Sequence, residues 1–488
     1  MKRIGLILVS LVGLLLVVAV VRTLTIAAPD IPSAAIDDQI DIDVLSVANR
    51  LGEAIRFETI STQTNREANR GPFVAFAKWM ETTYPALHAV ASREVIGGYS
   101  LFYTWPGSDP TLEPILLMSH MDVVPIAPGT EQTWEEAPFS GKVADGYIWG
   151  RGTIDTKASL VAILEGAEYL AARGYSPRRT VHFAFGHDEE VGGPLGNVKI
   201  AEMLKARGVR LHWVADEGGV IADGLVPGVN DRTVALVGVA EKGYVTLDLT
   251  AAAQGGHSSM PPSDTAIGRL ARGIDRLQNT PFDGAVEGPV ALMLDAIAPA
   301  TPFVQRLALT NRWLFNPILT PTLLGSPTTA AMMRTTIAPT MIEAGVKENV
   351  LPASASAKVN LRIHPRDTVE SIVAHVKAAI DDEMIEVTVF NPGREASVIS
   401  PTTSEGFQII SRTIQDTFPG ALIAPNLVVG GTDARHYEIV SDNIYRFIPI
   451  VLGPEDTARF HGDNERTSVE GMGQAVRYYV RLIERGSE

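Results

Sequence analysis

The sequence predicts an α/β fold in which a second, smaller domain is inserted into the first. Three observations lead to this prediction. The chain has 488 residues, more than one hydrophobic core usually supports. Short apolar runs of buried-strand type alternate with amphipathic segments from residue 44 onward, as they do in α/β domains. Strands of the same type return near the C-terminus, so both ends of the chain contribute to one sheet and the middle forms an insertion.

The strands of the outer domain are predicted from four short apolar runs, at 113–119, 180–185, 211–215 and 445–452. Residues 156–172 repeat apolar side chains at helical spacing and are followed by Gly174, a residue typical of helix ends. In the middle of the chain, residues 355–363 alternate apolar and polar side chains as a strand does, and 369–380 follow with helical spacing. This second pattern predicts an α+β domain.

The N-terminus carries an apolar run from Ile4 to Val21, preceded by Lys2 and Arg3. Roughly 18 apolar residues suffice to span a bilayer, so we expect a transmembrane helix. The positive-inside rule then leaves the rest of the chain on the non-cytoplasmic side of the membrane. The small residues of Thr25–Ala28 offer a cleavage site, so a cleaved signal peptide and a secreted protein form the alternative.

Composition excludes several classes of function. The formal net charge is -15 at pH 7, whereas a surface that binds nucleic acid needs clustered Lys and Arg. The sequence contains no cysteine, which excludes disulfides, thiol nucleophiles and Cys-ligated metals. Any metal must therefore be bound by histidines and carboxylates.

Histidines and acidic residues recur where the predicted strands end or a helix begins. Taken one at a time, each has a structural explanation, such as a helix N-cap or a solvated acidic turn. Because the carboxyl ends of parallel strands meet at one edge of a sheet, their repetition predicts a shared metal site. The candidates are His120, Asp122, Asp155, Glu189, Glu190, Asp216 and His461.

The motifs around these residues closely resemble those of the M20 metallopeptidase family. In chain order they are LLMSHMDVVP, GRGTIDTKASL, HDEEVGG, VADEGG, AAAQGGHSSMPP, ENVLPASASAKVNLRIHP and RFHGDNER. The likeness runs from about residue 44 to the C-terminus and is greatest to the branch of carboxypeptidase S and N-acyl amino acid hydrolases. One departure is His187, which stands where the family commonly has an apolar or small residue.

The resemblance implies a two-domain M20-type zinc hydrolase with an α+β lid domain inserted in the catalytic domain, preceded by an N-terminal transmembrane helix. The expected segments are a signal anchor or signal peptide (1–26), a linker (27–43), a first catalytic segment (44–240), the inserted lid or dimerisation domain (241–392) and a second catalytic segment (393–488). Within the lid, residues 299–341 are rich in Pro, Thr, Leu and Met. Two interpretations stay open for them, an apolar wall of a substrate channel and a packed surface loop.

The resemblance also implies a role for each candidate. It assigns His120 and Asp216 to one metal, Glu190 and His461 to a second metal, and Asp155 to both as a bridge. Asp122 supports the His120 ring, and Glu189 is the general base. In relatives the peptide bond after the bridging aspartate is often cis, which we expect for Asp155–Thr156.

Further residues of the lid and of a late loop match family positions that contact the substrate. His257 matches a histidine that stabilises the oxyanion, supplied in dimeric relatives by the neighbouring subunit, so we expect a homodimer through the lid. Asn349 and Arg362 match residues that bind the free carboxylate of the substrate, a task that suits a guanidinium group. Thr432 lies in a loop that resembles a family substrate loop.

The expected reaction is hydrolysis of an amide or peptide bond next to a free carboxylate, on a small peptide or an N-acyl amino acid. Two divalent metal ions are implied; we expect zinc, while cobalt and manganese would tolerate the same ligands. A dipeptidase or amino acid deacylase for small substrates is the alternative enzyme. A membrane-tethered binding protein without turnover is the alternative outside enzymes, although such a protein would have no need of Glu189.

Overall fold

The computed structural model describes residues 2–26, 40–63, 70–391 and 393–488. The helices within these ranges are α1 Lys2–Thr25, α2 Val44–Ile55, α3 Arg70–Thr83, α4 Pro85–Val90, α5 Lys157–Ala172, α6 Asn197–Ala206, α7 Ala266–Gln278, α8 Gly288–Ile297, α9 Phe303–Thr310, α10 Arg312–Leu324, α11 Pro327–Met333, α12 Val369–Ile380, α13 Glu405–Thr417 and α14 Val469–Gly486. Single 3₁₀ segments occur at Glu189–Val191, Ala298–Ala300 and Asp433–Ile439.

The strands in the same ranges are β1 Ser92–Ile96, β2 Ser100–Trp105, β3 Ile115–His120, β4 Val143–Ala144, β5 Tyr147–Trp149, β6 Val181–Gly186, β7 Trp213–Asp216, β8 Ile221–Ala222, β9 Val234–Glu241, β10 Gly243–Ala252, β11 Gly256–His257, β12 Thr336–Ala344, β13 Val350–Leu351, β14 Ser354–Ile363, β15 Ile385–Val389, β16 Leu422–Val428, β17 Ile444–Arg446, β18 Val451–Leu452 and β19 Arg466–Ser468.

A ten-stranded mixed sheet organises the larger domain, in the order β1-β2-β6-β3-β7-β17-β9-β8-β18 with β16 paired to β9. Strand β3 runs parallel to both β6 and β7, and β17 runs parallel to β7. In this register His120 lies opposite Gly186, and Arg446 lies opposite Asp216. The carboxyl ends of β3, β6 and β7 therefore meet at one edge, as the sequence predicted.

The central strands are apolar along their whole length because helices cover both faces of the sheet. On one face Ile115 and Leu117 of β3 pack in a core with Leu160 and Ile163 of α5. On the other face Leu116 packs in a second core that includes the buried side chains of α6. The predicted strands at 113–119, 180–185 and 211–215 and the helix at 156–172 are confirmed.

The strand predicted at 445–452 is wrong as a single element. The structure has two short strands there, β17 and β18, which pair with different partners, β7 and β8. Pro449 lies between them, and proline cannot donate a hydrogen bond to a neighbouring strand. The backbone N–H of Ile448 donates instead to the Gly219 carbonyl, at 2.8 Å, where the chain crosses over.

The second sheet is antiparallel, in the order β12-β14-β10-β15. Along β14 the buried side chains alternate with partly exposed ones, and the buried set packs with the inner faces of α7 and α12. The predicted strand and helix at 355–363 and 369–380 are confirmed as β14 and α12. The lid boundaries at 241 and 392 stay predictions; residue 392 itself lies outside the described residues.

The apolar segment at 299–341 is not a loop. It forms helices α9, α10 and α11 and then enters β12, even though Pro317 and Pro321 lie inside α10. Leu309 and Met333 from this segment are buried in a core with Leu422 of β16. Packing against the main sheet thus compensates for weak helical propensity. Its predicted place in a substrate channel stays a prediction.

The N-terminal segment is helical, as α1, but the expected transmembrane helix is not supported. Among the helices of the described residues, none has both the length and the apolar character needed to cross a bilayer. The buried side chain of Asn311 donates hydrogen bonds to the Ala19 carbonyl and to Thr23 Oγ1, both at 3.1 Å. Most of the predicted linker, at 27–39, lies outside the described residues.

Gly219, whose carbonyl accepts the Ile448 N–H between β17 and β18, is closely surrounded by the backbone of neighbouring segments. A Cβ atom there would lie 2.0 Å from the Leu236 carbonyl oxygen and 2.6 Å from that of Arg446. We expect Gly219→Ala to lower the free energy of unfolding by about 1–3 kcal/mol, as overpacking does, measured by urea denaturation. Gly71→Ala is the control, because no heavy atom lies within 4 Å of its Cβ position. An unchanged midpoint for Gly219→Ala would contradict the packing described.

Candidate metal centre and active site

His120, the last residue of β3, is buried and faces two carboxylates. Its Nδ1 donates to the Asp122 carbonyl at 2.8 Å. The other ring nitrogen, Nε2, therefore points towards Asp155 Oδ1 at 2.8 Å and Glu217 Oε1 at 3.3 Å. Burial alone would lower the pKa of His120, but Glu217, Asp122 and Asp155 outweigh burial and raise this pKa well above its ordinary value. The arrangement holds one imidazole nitrogen towards a cluster of carboxylate oxygens.

Asp122 supports the site in two ways. Its carbonyl orients the His120 ring, whereas its carboxylate lies 3.4 Å from the same ring nitrogen. The two carboxylate oxygens accept the backbone N–H groups of Glu189 and Glu190, each at 3.2 Å. The sequence predicted that the carboxylate would support His120; the structure adds that it fixes the turn after β6.

Asp155 lies between two histidines. Its Oδ1 is 2.8 Å from His120 Nε2, and its Oδ2 is 2.7 Å from His461 Nε2. These hydrogen bonds lower the pKa of Asp155 even though burial opposes them. The peptide bond between Asp155 and Thr156 is cis, as expected. One carboxylate thus reaches both candidate ligands of a two-metal site.

Glu465, which was not among the residues predicted from the sequence, holds the turn that carries Asp155. Its side chain is fully buried. Oε1 accepts the backbone N–H groups of Gly152, Ile154 and Asp155 at 2.9, 2.7 and 3.1 Å. Oε2 accepts a hydrogen bond from Arg151 at 2.7 Å. The signal was its position in the RFHGDNER motif, four residues after His461.

Two groups of side chains have the geometry of a metal site. The ligand atoms of His120, Asp155 and Glu190 all lie within 4.8 Å of one another, and so do those of His120, Glu189 and Glu217. Near the first group, His461 Nε2 lies 3.6 Å from Glu190 Oε2. Glu190 Oε1 is buried without a hydrogen-bond partner among the described residues. Imidazole nitrogens with unsatisfied carboxylate oxygens fit a divalent cation such as zinc.

The adjacent residues Asp216 and Glu217 make different contacts: Glu217 Oε1 lies 3.3 Å from His120 Nε2. Asp216 ends β7, and its Oδ2 accepts the Ala434 backbone N–H at 2.8 Å. Asp216 belongs to neither group of potential ligands found in the described residues. The motif VADEGG contains both residues, and the ligand role that it predicts for Asp216 stays a prediction.

The clustered carboxylates are difficult to ionise together. Burial, with repulsion between neighbouring carboxylates, raises the pKa of Glu189 and of Glu190 well above its ordinary value. Burial also raises the pKa of Glu217 to about 8 and that of Asp216 to about 6. Positive charge at the centre of the cluster would favour the ionised forms. The chain therefore provides a site that is electrostatically suited to cations.

The structure does not bring the lid candidates into contact with this cluster. His257 and Asn349 are both exposed beside the short antiparallel pair of β11 and β13, where the Ser258 N–H donates to the Asn349 carbonyl at 3.2 Å. The guanidinium carbon of Arg362 lies 5.1 Å from the ring centre of Tyr244. The roles of these three candidates stay predictions.

Thr432 lies in a loop that contacts a candidate metal ligand, Asp216, through Ala434. Its backbone N–H and Oγ1 donate to Glu241 Oε2 at 3.0 and 2.8 Å. It immediately precedes the segment whose Ala434 N–H binds Asp216. The contact of Thr432 with the substrate stays a prediction. Its observed hydrogen bonds to Glu241 hold the loop at Thr432 in place.

His187, the departure from the family pattern, has a structural partner. Its Nδ1 lies 2.6 Å from Ser100 Oγ, and its ring meets Phe73 and Tyr99 edge-on. Burial lowers its pKa. A neutral imidazole at this position anchors the start of the turn that carries Glu189.

A known protein family and several individual proteins are similar to this chain in sequence. The model of peptidase family M20/M25/M40 matches residues 116–485. The N-fatty-acyl-amino acid synthase/hydrolase PM20D1 of Xenopus tropicalis is 40% identical over 483 residues, which cover 97% of this chain and 93% of that protein. Carboxypeptidase S of Saccharomyces cerevisiae is 29% identical over 497 residues, covering 90% and 84%.

Solved structures agree on the fold. An M20 family metallo-carboxypeptidase from Sulfolobus solfataricus aligns with a TM-score of 0.66 at 17% identity, covering 92% of this chain and 100% of that one. Human carnosine dipeptidase 1 aligns with a TM-score of 0.61 at 16% identity, covering 91% and 96%. The chain therefore belongs to peptidase family M20/M25/M40, as its motifs indicated, and is a metal-dependent hydrolase.

Proposed function

We propose that the protein hydrolyses an amide or peptide bond next to a free carboxylate, as a carboxypeptidase or an N-acyl amino acid hydrolase. The names of its relatives support both substrate classes, and the 40% identity over almost the whole chain favours N-acyl amino acids. The observation that carries the proposal is the position of Glu189. It is a buried carboxylate with raised pKa, within 4.8 Å of ligand atoms of His120 and Glu217.

Two divalent metal ions, with zinc as the expected element, would be held by His120, Asp155, Glu190, His461 and a carboxylate of the 216–217 pair. When bound, such ions supply Lewis-acid activation of water and of the amide carbonyl. Glu217 Oε1 lies 3.3 Å from His120 Nε2, so we propose Glu217 as the fifth ligand and a supporting role for Asp216, the residue that the motif predicts as that ligand. Asp216 then holds the loop at Ala434 in place.

Glu189 is suited to move the proton. No described residue donates a hydrogen bond to its carboxylate, while its backbone N–H is fixed by Asp122 at 3.2 Å. Burial and nearby carboxylates raise its pKa, and a base works best when its pKa lies near the working pH. Glu189 would take a proton from the attacking water and later deliver it to the leaving nitrogen.

Glu189→Gln tests this assignment. The amide keeps the size of the side chain but cannot accept the proton, so we expect kcat to fall roughly 10²- to 10⁴-fold. Metal content, measured by mass spectrometry, should stay at two ions per chain. Glu386→Gln on the exposed face of β15 is the matched control and should leave kcat unchanged. Near wild-type turnover in Glu189→Gln would refute the role of Glu189 as base.

Glu217→Gln and Asp216→Asn separate the two acidic residues. We expect Glu217→Gln to weaken metal binding about 10- to 100-fold or more, because it removes a ligand and not merely a supporting contact. Asp216→Asn should retain metal more fully, since its side chain already accepts a backbone hydrogen bond. Titration of the metal-free protein with zinc gives the affinities. The reverse order of affinities would return the fifth ligand to Asp216.

A substrate panel tests the reaction. We expect the zinc-loaded protein to hydrolyse N-acyl amino acids and to lose activity after chelation, with recovery when zinc is returned. The panel should include short and long N-acyl chains, dipeptides, and the same compounds with the carboxylate amidated. Preference for dipeptides would favour a dipeptidase. Metal binding without turnover on any member would leave only a binding protein.

Two further assignments belong to this proposal. A homodimer through the lid is supported by β12, an edge strand of the lid sheet that exposes Met341 and Ile342. A location outside the cytoplasm is supported by the sequence alone, because Lys2 and Arg3 ahead of an apolar run are typical of a cleaved signal peptide, the alternative given above.

A further inference from the structure

The turn after β6 carries the proposed base and one proposed metal ligand, and glycines lie at both of its ends. Glu189 and Glu190 lie between Gly186, the last residue of β6, and Gly193. Gly193 has a φ of +69°, a conformation that is accessible to glycine without strain. Because glycine leaves the backbone permissive, the position of this turn has to be fixed by contacts with the rest of the protein. Asp122 supplies two of them, to the backbone N–H groups of Glu189 and Glu190.

Asp433 lies between the two ends of this turn. A Cβ atom on Gly186 would lie 2.7 Å from Asp433 Oδ2, and a Cβ atom on Gly193 would lie 2.2 Å from Asp433 Oδ1. Neither distance is possible for a real Cβ atom, so each glycine leaves room for one oxygen of the carboxyl group. The side chain of Asp433, which is buried, thus sets the spacing between the start of the turn and its end.

A chain of buried hydrogen bonds fixes the side chain of Asp433. Asn197, the first residue of α6, donates from Nδ2 to Asp433 Oδ2 at 2.6 Å. The hydroxyl group of Tyr437 donates to Asn197 Oδ1, also at 2.6 Å. All three residues are buried, and hydrogen bonds are stronger in the protein interior than in water. The chain therefore holds the carboxyl group of Asp433 in one orientation.

The backbone on either side of Asp433 is anchored as well. The N–H of Thr432 donates to Glu241 Oε2 at 3.0 Å, and the N–H of Ala434 donates to Asp216 Oδ2 at 2.8 Å. Since Asp216 is the last residue of β7, the second bond fixes Asp433 relative to a strand whose carboxyl end forms part of the metal centre. Asp433 is thus a rigid support beside a permissive turn.

The oxygen of Asp433 that faces Gly193, Oδ1, has no hydrogen-bond partner among the described residues. His436 Nε2 lies 3.6 Å from it, beyond hydrogen-bond distance. An unpaired buried acceptor costs about 1–3 kcal/mol of stability. Burial also raises the pKa of Asp433 to about 7, although Asn197 and Arg435 oppose this shift. A buried carboxyl group that is unfavourable for stability is typical of functional sites.

We propose that Asp433 is a positioning residue: by packing between Gly186 and Gly193, it sets the direction in which Glu189 and Glu190 point. The inference rests on the proposed function, which assigns Glu189 to proton transfer and Glu190 to a metal. Asp433 acts through the backbone of the turn and not through contact with the substrate. A displacement of about 1 Å can lower the rate of an enzyme about 100-fold, so the turn requires such a support.

Asp433→Ala tests the inference by removing the support. We expect zinc to bind the metal-free variant about 10- to 100-fold more weakly than the wild type, because groups that orient a metal ligand contribute this much to affinity. At saturating zinc, kcat for an N-acyl amino acid should fall by a similar factor with KM little changed. Asp433→Asn keeps the shape and can accept the hydrogen bond from Asn197, so it should restore most of the zinc affinity and of kcat.

Val476→Ala controls for a general loss of stability. Val476 is buried on α14, so its truncation should lower the midpoint of urea denaturation but leave zinc affinity and kcat unchanged. The inference is overturned if Asp433→Ala binds zinc and turns over as the wild type does. It is equally overturned if Asp433→Asn is as impaired as Asp433→Ala, because the charge and not the packing of Asp433 would then be what matters.

A double-mutant cycle tests the packing itself. Gly193→Ala puts a methyl group where Asp433 Oδ1 lies, so it should weaken zinc binding in the wild type and much less in the Asp433→Ala background. The strain of the positive φ is the same in both backgrounds and cancels in the cycle. Additive effects on zinc affinity would overturn the inference. Because zinc titration needs no turnover, failure of the wild type to hydrolyse any member of the substrate panel would instead overturn the proposed function.

Discussion

The carboxylate of Asp155 connects regions of the chain that are far apart in sequence. It contacts His120 from the first catalytic segment and His461 from the second. Glu465, in the same late segment as His461, in turn binds the backbone of the Asp155 turn. Since the whole lid lies between these segments in sequence, this contact closes the catalytic domain around its insertion. The metal centre and the two-domain topology therefore depend on the same few hydrogen bonds.

Repulsion between the buried carboxylates of the site explains why many hydrogen bonds are needed to hold them in place. Glu189, Glu190 and Glu217 are buried near one another, and burial together with their mutual repulsion raises the pKa of each carboxyl group. Backbone N–H groups and the surrounding sheet hold the carboxylates in place against this repulsion, as with Asp122 and the turn after β6. A rigid cluster of mutually repelling carboxylates is a means of binding cations tightly.

Much of the metal centre could be predicted from the sequence, because the parallel strands are recognisable as short apolar runs and their carboxyl ends meet at one edge of the sheet. His120 and Glu190 follow from that rule alone. Which of Asp216 and Glu217 would bind a metal does not follow from that rule, because the two residues are adjacent at the end of β7: Asp216 accepts the Ala434 N–H, and Glu217 lies 3.3 Å from His120. The role of Glu465 could not be predicted either, because its hydrogen-bond partners are backbone groups of a turn more than 300 residues earlier.

The rest of the fold was less predictable where tertiary packing decides local structure. Residues 299–341 become helical against β16 despite two prolines in α10, and Pro449 divides what looks like one apolar strand.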